Sequence, residues 1–462
     1  MKFINREKEQ AALDKYYKSG DSQFIVIYGK RRVGKTELIK HFAKEKPHIY
    51  FLAQKLNEHD NLKMLGQLCG EYFKDELLTL NGFESWQQLF RYLKKNIKKK
   101  FVLAIDEFPY LAETNKSIAS IFQAGWDEYL KDTPVMLILC GSSIAMMEEK
   151  VLSEKSPLFG RRTAQIYLKP FNFISFRKFF PENKFEYCVE MYSITGGNPS
   201  YIKRMDAKKS IEDNIKDNIL ETDAFLYSEI DFVMKEELRE PRNYFAILKA
   251  ISLGKSKLSE IQNETGLEKS VLHKYLFILE DLRLVEKEIP VTEKIPLKSR
   301  KGIYKLQDQF FKFWFRYVLP GKSHLEEGNK TYVMGRVKND FVHLISHNYE
   351  DICIQILKEN EEEIFEIDKI GRWWEKILGE IDIVAFNEKG KKILFGEVKW
   401  SNKAVGTDIY EDLRKKAEYV EWNKGKRTES YCLFSKSGFT PDMIKRAKKD
   451  KAMLYSGDKR IN

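Results

Sequence analysis

Five apolar residues, Phe24-Ile25-Val26-Ile27-Tyr28, run directly into Gly29-Lys30-Arg31-Arg32-Val33-Gly34-Lys35-Thr36, and helical spacing resumes at Glu37-Leu38-Ile39-Lys40-His41-Phe42. The apolar run, rich in β-branched and aromatic residues, predicts a buried parallel strand. Strand, glycine-bounded loop and helix in that order match the pattern G-x-x-x-x-G-K-S/T in its required setting. Glycine permits the dihedrals that turn successive backbone N–H groups inward around an anion, and the helix N-terminus adds its partial positive charge. Lys35 brings a mobile cation and Thr36 a hydroxyl suited to a divalent metal.

These residues, Gly29 through Thr36, are therefore expected to hold ATP with Mg²⁺. A second apolar run at 101–105 ends in Asp106-Glu107. Asp106, at a strand's carboxyl end, is the expected Mg²⁺ partner of Thr36, and Glu107 the residue that orients or deprotonates water. A third run at 135–140 leads to Gly141-Ser142-Ser143, which puts Ser142 where a hydroxyl can sense the γ-phosphate. Arg161 and Arg162 follow Gly160; they read either as a guanidinium supplied to the transition state, in cis or to a neighbouring subunit, or as a solvated basic turn.

Phe3 with Arg6-Glu7, the loop from Tyr28 to Thr36, Ile105-Asp106-Glu107-Phe108, Cys140-Gly141-Ser142-Ser143, Gly160-Arg161-Arg162-Thr163 and Thr195-Gly196-Gly197-Asn198-Pro199 together resemble the archaeal-type ATPases of the AAA-like, STAND-related P-loop superfamily. The resemblance implies a helical lid in which Gly196, Gly197 and Pro199 start a helix near the nucleotide. It also implies a winged helix and a nuclease-like domain after the ATPase. The residues themselves show at that point only a turn and a helix start.

At 462 residues the chain exceeds one ordinary core, and roughly 150 residues per domain suggests about three. The expected division is an ATPase domain with lid at 1–235, a winged helix at 236–325 and a nuclease-like domain at 326–462. The fold class is α/β: a P-loop NTPase with helical lid, then an α+β winged helix, then an α/β restriction-endonuclease-like domain. No apolar run approaches the roughly 18 residues of a membrane span, and MKFINREKEQ lacks a signal-peptide core, so a cytoplasmic protein with no membrane partner is expected. Cys69, Cys140, Cys188, Cys353 and Cys432 form no C-x-x-C pair and read as small buried apolar residues. A formal charge of +11 suits an anionic partner such as DNA.

Three helices are expected at 244–251, 257–265 and 269–282, with a core of Leu258, Ile261, Leu267, Val271, Leu272, Tyr275, Leu276 and Leu279. Ser270, His273, Lys274 and Phe277 are left to face outward, the first three towards a major groove. A basic stretch with Lys294, Lys298, Arg300 and Lys301 reads as a wing for phosphates. The alternative use of such a module is as a protein–protein spacer. The aromatic run at 310–315 reads as core or interdomain contact rather than as a base-stacking platform.

Near the C-terminus, Glu350 falls on a helix expected at 341–357, Asp382 in the strand 380–385, and Glu397 and Lys399 in the strand 393–400. Strand alternation puts Glu397 and Lys399 on one face, and a hairpin through Asn387-Glu388-Lys389-Gly390 brings Asp382 beside them. Carboxylates of this kind hold Mg²⁺, with Asp382 and Glu397 as ligands, while the lysine steadies a nucleophile. The arrangement resembles the PD-(D/E)xK nucleases, with Ile381 where that family has proline. The competing reading is a strand with alternating solvated charges.

Three functional readings follow: an ATP-hydrolysing motor or switch on DNA with a nuclease-like effector and a homo-oligomer formed through the ATPase domain; a nucleotide-gated regulator whose C-terminal domain binds DNA or protein without catalysis; and a scaffold. The full set Lys35, Thr36, Asp106 and Glu107 argues against the last.

Overall fold

The computed structural model describes residues 3–238 and 240–462. They divide into two compact units: one runs to Pro170 and includes Asn198–Ser200; the other takes Phe171–Gly197 and Tyr201–Asn462.

In the first unit β1 (Gln23–Tyr28), β2 (His48–Leu52), β3 (Phe101–Asp106), β4 (Val135–Gly141) and β5 (Ala164–Tyr167) form a parallel sheet in the order β2-β3-β4-β1-β5. β1, β3 and β4 are buried along their whole length, as their unbroken apolar sequences require of strands covered on both faces. Alternation sorts β1 between two cores. Ile25 and Ile27 pack with Leu13, Leu38 and Phe42 from the helices Glu7–Lys18 and Lys35–Ala43. Phe24 and Val26 pack with Leu65, Trp86, Phe90 and Phe122 from the helices Glu58–Phe73, Trp86–Asn96 and Ile118–Gly125. Because β4 lies between β1 and β3, the segments leaving their carboxyl ends converge, and that is where ligands sit in open α/β sheets.

The second unit opens with helices, among them Arg242–Ser252, Leu258–Thr265 and Lys269–Asp281, followed by an antiparallel ribbon of β6 (Val285–Glu288) and β7 (Ile303–Leu306). Ile261, Leu272, Leu276 and Leu279 are buried; Leu258, Leu267, Val271 and Tyr275 are half-buried; Ser270, His273, Lys274 and Phe277 are exposed. Phe310, Phe311, Phe313, Trp314 and Phe315 are all core.

The helix carrying Glu350 begins at Lys330, earlier than its apolar spacing suggests, and runs to Glu359. It packs on a mixed sheet of β8 (Lys369–Glu375), β9 (Gly379–Asn387), β10 (Lys392–Lys399), β11 (Thr428–Ser435), β12 (Met453–Ser456) and β13 (Lys459–Arg460), ordered β13-β12-β11-β10-β9-β8. β10 is central, antiparallel to β9 and parallel to β11. The loop between β6 and β7 adds to the β8 edge: Val291 N–H donates to Arg372 O at 2.9 Å and Trp374 Nε1 to Lys301 O at 3.2 Å. The five cysteines are buried and unpaired. Among the described residues no helix is long and apolar enough to cross a membrane.

Candidate active site

Gly29 follows β1 with φ 154°, and a Cβ placed there would lie 2.3 Å from the Leu168 carbonyl oxygen. Only glycine leaves room for the chain to turn under that backbone. Gly34, at φ 93°, then starts the helix Lys35–Ala43 in left-handed geometry, and no side chain caps the helix N-terminus. Its first N–H groups point into the loop, the arrangement that receives phosphate. Lys35 is buried, with Nζ donating to Gly29 O at 2.9 Å and Lys30 O at 3.0 Å. Arg6 Nη2 donates to Val33 O at 3.0 Å and Lys169 O at 2.8 Å, and Asn198 Nδ2 to Arg31 O at 3.4 Å.

Asp106 is 1% exposed. Its Oδ2 accepts from Thr36 Oγ1 at 2.6 Å and from the Tyr50 hydroxyl at 2.7 Å, and its Oδ1 from Glu107 N–H at 3.0 Å. Burial, and then the Asp106 charge, push the Tyr50 phenol well above its ordinary range, so it stays a donor. Glu107 sits at φ 55°, a sparsely populated conformation for a residue with a Cβ. Its Oε2 accepts from Ser142 Oγ at 2.8 Å and Ser142 N–H at 3.2 Å. The structure thus brings together Lys35, Thr36, Asp106, Glu107 and Ser142, with Ser142 engaged by Glu107. Arg31 Nη2 lies 3.4 Å from the Tyr110 hydroxyl. Arg161 pairs with Asp127 at 3.0 Å, and Arg162 donates to Leu152 O at 3.0 Å while lying over the Phe159 ring.

In the second unit, the β9–β10 register places Asp382 opposite Glu397, one step beyond the Ile383–Gly396 pair. Both are buried, at 7% and 6% exposure. Asp382 Oδ2 accepts from Val398 N–H at 2.8 Å, and Lys399 Nζ donates to Glu397 Oε1 at 2.7 Å. Glu397 Oε2 is buried without a partner. Burial, reinforced by the charges of Glu350 and Glu397, raises the Asp382 carboxyl well above the usual carboxylate range. Burial works against the Lys399 ammonium, but Glu397 outweighs it and raises its pKa.

Glu350 is held at 2.8 Å by Arg372 Nε and lies 3.4 Å from His347 Nδ1. Arg372 also binds Asp351 at 2.8 Å and Glu288 at 3.1 Å. Lys416 Nζ approaches Glu397 Oε1 at 3.8 Å. No group of three or more His, Cys, Asp or Glu side chains in metal-holding geometry occurs among the described residues. The candidate donors come as the pairs Thr36 with Asp106 and Asp382 with Glu397.

Tyr50, Arg372 and Lys416 were not singled out from the sequence. For Tyr50 a signal exists: in His48-Ile49-Tyr50-Phe51-Leu52, alternation sends a hydroxyl-tipped ring to the face opposite Ile49 and Phe51. Arg372 carries no local signal, because Glu350, Asp351 and Glu288 are distant in the chain, and the local pair of Lys416 with Asp412 says nothing of its approach to Glu397.

A family described as an ATPase domain predominantly from Archaea matches residues 3–205, and a second, described as archaeal and bacterial proteins of unknown function, matches residues 314–415. The uncharacterized protein MJECL04 of Methanocaldococcus jannaschii is 39% identical over 424 residues, covering 90% of this chain and 92% of that protein. The uncharacterized protein MJ0424 of the same organism is 46% identical over 92 residues, 19% of this chain and 84% of that protein. Among solved structures, the Walker-type ATPase PABY2304 of Pyrococcus abyssi aligns with a TM-score of 0.52 at 21% identity, covering 68% of this chain and 96% of that one, which is a likeness of fold. With the ATPase-domain match spanning Lys35, Asp106, Glu107 and Ser142, and a relative that aligns along nearly its whole length, the chain belongs to the archaeal P-loop ATPase family.

Proposed function

We propose that this ATPase is a DNA-directed switch in which MgATP hydrolysis at the first unit is coupled to a winged helix and a metal-dependent, nuclease-like domain. The observation that carries the hydrolytic site is the 2.6 Å bond between Thr36 Oγ1 and Asp106 Oδ2, a hydroxyl and a carboxylate held side by side at the mouth of the loop. Thr36 and Asp106 would hold Mg²⁺, which when bound would offset the charge that develops on the transferred phosphoryl group. Lys35 would exchange its carbonyl partners for phosphate oxygens, and the N–H groups of the loop would hold the rest. Glu107 would orient the attacking water after leaving Ser142. Arg161 or Arg162 would serve a neighbouring subunit in a homo-oligomer, or their own.

Three helices followed by the β6–β7 ribbon support the winged-helix reading, with exposed Ser270, His273 and Lys274 on the third helix and exposed Lys294, Lys298 and Arg300 beyond β6. The domain limits proposed are 1–235, 236–325 and 326–462. For the C-terminal site, the unpartnered Glu397 Oε2 beside Asp382 fits a divalent cation, since a buried carboxylate oxygen without a donor is costly unless something binds it. Asp382 and Glu397 would hold the metal, and Lys399 would steady the nucleophile. A second reading, a nucleotide-gated regulator without cleavage, is favoured by Glu350, whose carboxylate is occupied by Arg372.

The test is Mg²⁺-dependent ATP hydrolysis by the wild type and Lys35→Ala, with and without single- and double-stranded DNA, the DNA being scored for cuts. DNA-stimulated turnover that Lys35→Ala abolishes supports the switch, and cuts lost in Asp382→Ala add the nuclease. Turnover indifferent to DNA favours the regulator; turnover unchanged in Lys35→Ala rejects the assignment of the loop.

A further inference from the structure

We infer that Tyr50 is a positioning residue for ATP hydrolysis: its hydroxyl, together with that of Thr36, clamps one oxygen of Asp106 and fixes the carboxylate that would hold the divalent cation. Among the described residues β2 lies at the sheet edge and pairs only with β3. Ile49 and Phe51 are buried in the core on one face, and Tyr50, half-buried, packs on the other with Leu38 and Ile39 of the helix that follows the phosphate loop. Its register partner is Ala104, two residues before Asp106 on the same side of β3. A small neighbour there leaves the ring room to reach along the sheet to the carboxylate. Lys40 Nζ stands over the ring, 4.8 Å from its centroid.

The carboxylate of Asp106 consequently has Thr36 Oγ1 and Tyr50 on Oδ2 and Glu107 N–H on Oδ1, with the buried Cys140 thiol hydrogen-bonded to it as well. Thr36 and Glu107 N–H alone would leave Oδ2 dependent on a hydroxyl that must also turn its lone pairs to the cation. A second hydroxyl on Oδ2 keeps the plane of the carboxylate fixed while Thr36 does so. The phosphate-binding groups, by contrast, are the loop N–H groups and Lys35, none of which Tyr50 touches among the bonds described. Its contribution is thus confined to the metal-dependent part of nucleotide binding and to turnover.

The inference rests on the Mg²⁺ reading of Thr36 and Asp106, and the test separates the two. A fluorescent ATP analogue is titrated into the full chain with EDTA and with Mg²⁺, comparing the wild type, Tyr50→Phe, Asp106→Asn and the double variant. Phenylalanine keeps the ring against Lys40 and the core. In EDTA the affinity of Tyr50→Phe should match the wild type within about twofold, while its Mg²⁺-dependent gain shrinks roughly fivefold, the size of one net hydrogen bond. The half-saturating Mg²⁺ concentration for ATP turnover should rise in parallel. The double variant should be no worse than Asp106→Asn.

An equal loss of affinity with and without Mg²⁺ would mark a structural role and overturn the proposal. So would a Mg²⁺-dependent gain that Tyr50→Phe retains in full, or a double variant whose defects simply add. A wild type with no Mg²⁺-dependent gain would overturn the metal reading and this inference together.

Discussion

The guanidinium of Arg372 meets the Glu350 carboxylate at 2.8 Å, and the same side chain binds Asp351 and Glu288. One residue of β8 thereby ties the sheet to the helix Lys330–Glu359 and to the β6–β7 ribbon. Lys305 and Lys312 complete the cluster, each reaching Asp351 at 3.7 Å. Removing the centre of such a network takes the guanidinium from the half-buried Glu350 and leaves Asp351 and Glu288 only their lysine partners. Arg372→Ala should therefore destabilise the second unit by about 3–5 kcal/mol, seen as a lower urea midpoint. A loss below about 1 kcal/mol would mean that the cluster is solvated and behaves as a surface pair.

The same cluster sets a pH dependence. Burial disfavours the Asp351 charge, but Arg372, Lys305 and Lys312 outweigh it and hold the carboxyl far below its ordinary value of 3.8. A folded-state pKa below the unfolded one gives stability that is fully present above the unfolded value and lost as pH falls beneath it. The urea midpoint of the second unit should thus decline steeply below about pH 4, as an ordinary aspartate takes up its proton. Asp351→Asn should flatten that decline, and an unchanged slope would remove Asp351 as its source.

Gly29→Ala tests the turn beneath the phosphate loop. The added methyl would sit 2.3 Å from Leu168 O at a φ of 154°, so either β5 moves or the loop does. ATP-analogue binding should fall by about fivefold to a hundredfold, given roughly 1–3 kcal/mol of backbone strain. Unaltered affinity would show that the loop can be rebuilt around a side chain.

Arg161 can be tested apart from stability. Its pair with Asp127 is part-exposed, at 33% and 40%, and such pairs contribute about 0–1 kcal/mol. Arg161→Ala should leave the melting temperature within a few degrees of the wild type. If this guanidinium reaches a transition state, turnover should fall by about a thousandfold or more. A small change in turnover would return Arg161 to its pairing role and leave Arg162 as the remaining guanidinium of that segment.

Glu397→Gln tests the C-terminal carboxylates. In the wild type Mn²⁺ or Mg²⁺ should raise the melting temperature of the second unit by linkage to the folded state. The variant, with an amide where the unpartnered oxygen stands, should lose that rise. An equal rise in both proteins would exclude Glu397 as a ligand.

What the sequence made legible was local or strictly periodic. The loop from Gly29 to Thr36 fell between its strand and its helix because apolar run, glycine and helical spacing are contiguous. The β9–β10 hairpin was legible because Asn387-Glu388-Lys389-Gly390 separates two apolar strands, which then fixed Asp382 opposite Glu397. The contact of Asn198 with Arg31 and the pairing of Arg161 were not. Each depends on a partner far along the chain, Arg31 for Asn198 and Asp127 for Arg161, and periodicity carries no information about which distant residue will be opposite. The early start of the helix at Lys330 was missed for a different reason: its first turns are polar on the outside and pack Val333, Met334 and Val337 inward over a narrower stripe.

The strand order of the first sheet also has a cost during synthesis. β1 pairs with β4 and β5, whose residues follow it by more than a hundred positions. At ~5–20 residues per second, β1 leaves the ribosome on the order of 5–20 s before either neighbour exists. Through that interval Phe24 to Tyr28 is an apolar ribbon with both edges unpaired, a segment open to association with other chains until β4 and β5 follow.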